Sequence, residues 1–116
     1  LDTRICGGHT TTSDALWAGA PVVTMLGTHF ASRISASLLN AVGLTELITH
    51  NLKDYEALAF SLARNPDELD ELKAKLARNR LSEPLFDTPR FVGNLESAYR
   101  LFGKISCQAI RPLELT

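Results

Sequence analysis

The sequence predicts an α/β fold, a short parallel sheet of about three strands set between helices in three layers. Three observations in residues 1–50 point there. Strand-like and helix-like stretches alternate as strand, helix, strand, helix, strand, an order that closes through right-handed crossovers. Val22-Val23-Thr24 is short, apolar and β-branched, the composition of a strand buried on both faces. Gly7-Gly8 stand just before a hydroxyl-rich run, Thr10-Thr11-Thr12-Ser13, which suits a tight corner leading into the first turn of a helix.

In chain order, Leu1-Asp2-Thr3 reads as the end of a strand whose beginning precedes the chain, and residues 4–8 as the loop after it. A helix follows from about Thr10 to Trp17 or Ala18, since Gly19 suits the position past a helix end and Pro21 cannot continue one. Val22-Val23-Thr24 is the second strand and residues 25–29 the next loop. The second helix is expected from about Phe30 to Val42, ending at Gly43. Its apolar positions Ile34, Leu38 and Val42 recur at spacing four, with Ala31 and Leu39 beside them. Glu46-Leu47-Ile48-Thr49 is the third strand.

Residues 51–116 are helical in character. Asn51 is cap-like and opens a helix to about Ala63 that carries Tyr55, Leu58, Ala59 and Leu62 at helical spacing. Asn65-Pro66 ends it, and Pro66 suits the first position of the next helix, to about Asn79. That helix has Asp67, Glu68, Asp70 and Glu71 early and Lys73, Lys75, Arg78 and Arg80 late. Acid first and base last complements the helix dipole and suits a solvated face. Ser82-Glu83-Pro84 is a linker. Thr88 is expected to cap a last helix from about Pro89 to Ile105. Its stripe of Phe91, Leu95, Ala98, Leu101 and Phe102 must pack on something, most simply the domain itself. Arg111 to Thr116 is a tail.

The 116 residues make one domain at most. At 45% hydrophobic and 22% charged, the composition is that of a globular protein and argues against disorder. A net charge of −1, with both signs interspersed, lacks the basic stripe of a nucleic-acid binder. No apolar run approaches the roughly 18 residues of a membrane span, and no signal peptide is visible. Cys6 and Cys107 have no metal-ligand spacing and read as free thiols of a reducing compartment.

The candidate chemistry lies at the start of the first helix. Its leading N–H groups have no partner within the helix, and with the positive end of the helix dipole they suit a phosphate. His9 sits at the lip of that place and can donate a hydrogen bond to an anion. Asp14 follows Thr10 by four residues and Thr11 by three, so all three share a face. A carboxylate there repels phosphate but accepts hydrogen bonds from a sugar hydroxyl, so the set suits a nucleoside diphosphate with its ribose. The alternative, that the hydroxyl run is only a helix cap, stands beside it. His29 lies in a loop expected to open on the same sheet edge, as an acceptor-side group or a plain surface histidine. Arg33 suits an ion pair, and His50 has no evident partner. No Ser–His–Asp set, no paired carboxylates and no metal constellation is present.

Gly8-His9-Thr10-Thr11 followed by Asp14-Ala15-Leu16-Trp17-Ala18-Gly19 resembles the nucleotide-sugar site of the O-linked N-acetylglucosamine (O-GlcNAc) transferases, two-domain glycosyltransferases of the GT-B type. The likeness continues through Pro21 to Met25, Ala31-Ser32-Arg33, Glu46-Leu47-Ile48 and Pro84 to Thr88, and reaches Arg111 to Thr116. It covers nearly the whole chain, most weakly from about Asn51 to Ser82. Two places depart from the family: Leu26-Gly27-Thr28-His29 replaces Pro-Gly-Glu-Thr, and Gly7 stands where the animal enzymes carry Asn.

The resemblance implies that residues 1–116 are the carboxy-terminal portion of a Rossmann-like, UDP-sugar-binding GT-B domain. Residues 1–50 would form its βαβαβ nucleotide-binding part and residues 51–116 its helical part. It implies inverting transfer of N-acetylglucosamine from UDP-N-acetylglucosamine to Ser or Thr hydroxyls of proteins, without cofactor or metal. By position, His9, Thr10 and Thr11 hold the diphosphate and Asp14 the ribose. No catalytic residue is expected in this piece, which alone is expected to be inactive. The uracil-binding segment, a diphosphate-binding lysine, the amino-terminal catalytic domain and the acceptor-binding helical repeats are expected elsewhere in the full-length enzyme. So are a cytoplasmic location, nuclear as well in a eukaryote, and contacts with neither nucleic acid nor membrane. Two alternatives remain open: a GT-B transferase for another UDP sugar or acceptor, and a non-catalytic interaction domain derived from one.

Overall fold

The computed structural model describes residues 1–109, so the expected tail from Arg111 to Thr116 lies outside the described residues. Residues 1–86 form one compact unit and residues from Asp87 on form a second.

In the first unit, α1 (Thr10–Trp17) leads to β1 (Thr24–Met25), α2 (Ile34–Ala41), β2 (Ile48–Thr49), α3 (Leu52–Arg64) and α4 (Pro66–Ser82). Two local glycine signals hold. Gly19 and Gly43 have φ of +88° and +73°. At each the chain closes a helix with a paired bond: Ala20 N–H to Ala15 and Gly19 N–H to Leu16 after α1, Leu44 N–H to Leu39 and Gly43 N–H to Asn40 after α2. Only glycine takes that left-handed turn without strain. Asn51 caps α3 by accepting from the Asp54 N–H at 2.9 Å.

The sheet is smaller than the sequence predicts. It has two parallel strands, with Thr24 opposite Ile48 and Met25 opposite Thr49, and the expected three-strand, three-layer sheet does not form among the described residues. Residues 1–3 reach the sheet region through one backbone bond, Asp2 N–H to the Val23 carbonyl at 2.9 Å. The next N–H, on Thr3, turns inward to the Asp2 carboxylate at 2.8 Å and is lost to a ladder. The third strand is likewise half a strand, because Thr45–Leu47 wind into a 3-10 turn before β2.

The expected second helix is also divided. Phe30–Ser32 form a 3-10 turn and α2 starts at Ile34. The Ser32 carbonyl accepts from the Gly27 N–H at 3.1 Å, which aims it at the loop instead of along a helix. The buried face of α2 is Ser35, Ala36 and Leu39, continued by Val42, rather than the Ile34–Leu38–Val42 row.

One core joins these elements. Leu16 from α1, Val22 and Val23 ahead of β1, and Leu39, Val42, Leu44 and Leu47 meet Leu62 of α3 and Leu72 and Leu76 of α4. Most charges of α4 lie outside, with ion pairs of Lys73 to Asp70 at 3.0 Å and Lys75 to Glu46 at 2.6 Å, whereas Arg80 is half-buried over the Trp17 ring. The second unit contains α5 (Thr88–Ala109). Asp87, not Thr88, caps it, accepting from the Arg90 N–H at 3.0 Å. Of the residues in its apolar stripe, Phe91, Leu95, Leu101 and Phe102 are exposed. No helix among the described residues is long and apolar enough to cross a membrane.

Candidate functional site

The amino end of α1 is open. The first bond of the helix runs from the Ser13 N–H to the His9 carbonyl at 3.1 Å. The N–H groups of Thr10, Thr11 and Thr12 precede that bond and find no acceptor among the described residues, and no side chain caps the end. The capping alternative therefore fails here. Thr12, within the first turn, is buried and its hydroxyl meets the Ser35 hydroxyl at 3.0 Å. Three bare donors at the positive end of a helix favour an anion.

His9, Thr10, Thr11 and Asp14 are all solvent-exposed, with Asp14 one turn along the helix from Thr10. The His9 ring stands edge-on to Phe30, with centroids 6.2 Å apart. The Gly7 N–H donates to the Ala31 carbonyl at 3.0 Å. Those two contacts bring the loop before α1 and the loop after β1 to one edge of the sheet, as the parallel topology predicts.

The second loop is held from within. Arg33 donates to the Gly27 carbonyl at 3.1 Å, so it clasps the loop and is not the ion-pair partner expected. Ser32 donates to the His29 carbonyl at 2.8 Å. Beyond the carboxyl ends of β1 and β2 lies an open cleft of about 630 Å³, lined by Leu26, Phe30, Arg33, Ile34, Ile48 and His50 among others. His50, for which the sequence suggests no role, belongs to this cleft. Cys6 is an exposed free thiol.

Sequence reasoning misses the residues that shape the corner. The Asp2 carboxylate accepts from the Gly8 N–H at 2.7 Å and from the Thr24 hydroxyl at 2.8 Å. Burial pushes its pKa up, but the nearby Ser35 hydroxyl and hydrogen bonds from the Gly8 N–H, the Thr24 hydroxyl and the Thr3 N–H outweigh that and hold it below the ordinary value. Tyr55 donates to the Asp2 carbonyl at 2.7 Å, and Ser35 to the Gly8 carbonyl at 2.8 Å. A polar Ser35 on the buried face of α2 is the one sequence signal that this network leaves. Gly7 is buried, and a Cβ there would lie 2.8 Å from an Asp2 carboxylate oxygen and 3.2 Å from the Ser35 hydroxyl. Gly7 is thus fitted to its own surroundings. Among the described residues, no three His, Cys, Asp or Glu side chains gather as a metal site.

Known proteins share this architecture. Residues 1–95 match the model of glycosyl transferase family 41. The chain is 43% identical over 113 residues to a probable UDP-N-acetylglucosamine–peptide N-acetylglucosaminyltransferase, SEC, of Arabidopsis thaliana, covering 97% of this chain and 12% of that protein. It is 40% identical over 96 residues to the UDP-N-acetylglucosamine–peptide N-acetylglucosaminyltransferase of Caenorhabditis elegans, covering 83% of this chain and 8% of that protein. A solved structure of a mutant Thermobaculum terrenum O-GlcNAc transferase superposes with a TM-score of 0.88 at 37% identity, over 95% of this chain and 21% of that one. The chain thus spans about an eighth of the length of its Arabidopsis relative. With most of its length matched by the family model and by relatives at this identity, the chain belongs to glycosyl transferase family 41.

Proposed function

We propose that this chain is the donor-holding piece of an inverting glycosyltransferase that moves N-acetylglucosamine from UDP-N-acetylglucosamine to Ser or Thr hydroxyls of proteins. The bare amino end of α1 carries the proposal: three unpartnered N–H groups with His9 at their rim, in a chain of family 41. His9, Thr10 and Thr11 bind the diphosphate, and Asp14 accepts from a ribose hydroxyl. The helix end stabilises the charge that builds on the departing UDP, so this piece calls for no metal. The full-length enzyme supplies the uracil contacts, the catalytic domain and the helical repeats that hold protein acceptors, and works in the cytoplasm, and in the nucleus as well if its source is eukaryotic.

Calorimetric titration of the full-length transferase with UDP and with uridine tests these roles. His9→Ala removes a hydrogen bond to a charged group, worth roughly 1.5–3 kcal/mol or about 10- to 150-fold in UDP affinity, and spares uridine. Asp14→Ala weakens uridine and UDP alike. UDP affinity unchanged by both substitutions in folded protein would overturn the proposal.

A further inference from the structure

Resting on the donor site proposed above, we infer that Asp2 is a positioning residue of that site: with Ser35 it fixes the Gly7-Gly8-His9 corner so that the amino end of α1 stays open. The geometry at Gly8 carries this. Its N–H is held by the Asp2 carboxylate at 2.7 Å and its carbonyl by the Ser35 hydroxyl at 2.8 Å. Neither group bonds to α1. A free Gly8 carbonyl is the natural acceptor for the Thr12 N–H, four residues on, and that bond would begin the helix one residue earlier. It would consume one of the three donors that face the ligand. Ser35 competes for that carbonyl, donating to it from α2, and the same hydroxyl meets the Thr12 hydroxyl at 3.0 Å, so the Gly8 carbonyl is drawn toward α2 and not along α1.

Asp2 is itself anchored independently of the loop it holds. Its N–H donates to Val23 at 2.9 Å, its carbonyl accepts from Tyr55 of α3 at 2.7 Å, and its second carboxylate oxygen accepts from Thr24 of β1 at 2.8 Å. The sheet and α3 therefore set where Gly8 lies. The two glycines make the corner possible. A Cβ on Gly7 would crowd the Asp2 carboxylate, and one on Gly8 would strike the hydroxyls of Thr11 and Thr12. The negative charge of Asp2 is met by donors on both oxygens, so the carboxylate is tied back from the anion site beside it.

The test uses the full-length transferase with Asp2→Ala, Asp2→Asn and Ser35→Ala, titrated with UDP and with uridine beside His9→Ala. Asp2→Ala is expected to weaken UDP by about tenfold and to leave uridine unchanged, with a raised KM for UDP-N-acetylglucosamine and kcat nearly kept. Asp2→Asn keeps an oxygen for Gly8 and Thr3 and is expected to recover most of the UDP affinity. A lowered Tm with an unchanged ratio of UDP to uridine affinity overturns the inference, as does an asparagine substitution no better than alanine. Should Asp2→Ala not fold, Ser35→Ala applies the same test from α2, and unaltered UDP binding there overturns it. If His9→Ala weakens UDP while the Asp2 and Ser35 variants do not, the positioning role falls alone. If His9→Ala also leaves UDP unchanged, the donor site falls and this inference with it.

Discussion

Tyr55 and Asp2 lie 53 positions apart and share one hydrogen bond that joins α3 to the start of the chain. Tyr55→Phe removes the hydroxyl alone, so about 1 kcal/mol of stability should go, measured by urea denaturation. The ionisation of Asp2 sets a second expectation. Its pKa falls below the ordinary 3.8 on folding because its hydrogen bonds outweigh its burial. The native state therefore binds this proton less readily than the unfolded chain. That contribution to stability is complete above 3.8 and disappears as the pH falls through the lower, folded value. Stability measured against pH in acid should show this limb, and Asp2→Asn should flatten it. The candidate ligand residues were legible because they are local, His9 to Asp14 lying within one short run beside two glycines. Asp2 was not legible, because what gives it meaning comes from Thr24, Ser35 and Tyr55, and no spacing rule connects residues so far apart in sequence.

Helix ends were legible wherever one residue type settles them. Gly19, Gly43 and Asn51 each stand where the sequence puts them, since a left-handed turn or a side-chain cap is decided within four or five residues. Strand lengths and the second helix were less legible. Val22 and Val23 have the composition of a ladder, yet only Thr24 and Met25 pair with β2, and the break at Arg33 follows from where the Ser32 carbonyl points. The loop that causes this break is tight. A Cβ on Gly27 would lie 2.5 Å from the Ser32 Cβ. Gly27→Ala must therefore displace the turn at Phe30–Ser32 and with it the clasp from Arg33. A loss of about 1–3 kcal/mol is expected, the range for forcing a group into packed surroundings, and thermal or urea unfolding measures it. A variant as stable as the parent would mean that the loop adjusts freely and that the clasp does not constrain it.

At the scale of the molecule, periodicity finds apolar faces but does not say what they meet. The same 3.6-residue pattern marks α3, α4 and α5, and the outcomes differ. Leu62, Leu72 and Leu76 enter one core with Leu16, Leu39, Leu44 and Leu47, whereas Phe91, Leu101 and Phe102 of α5 are more than half exposed. The open amino end of α1 thus depends on residues of α3 and α4 that lie 46 to 60 positions beyond Leu16, because Leu16 anchors that helix in the same core. Two substitutions separate the two kinds of face. Leu76 is fully buried, and Leu76→Ala leaves a cavity where α4 meets that core, with an expected loss of about 2–5 kcal/mol. Phe102→Ala removes a larger side chain from a 63% exposed position and should change stability by no more than about 0.5 kcal/mol. Side-by-side urea unfolding of the two variants gives the comparison. The larger side chain should matter less, which inverts the order that hydrophobicity alone predicts. Comparable losses would mean that Phe102 is covered in the folded protein.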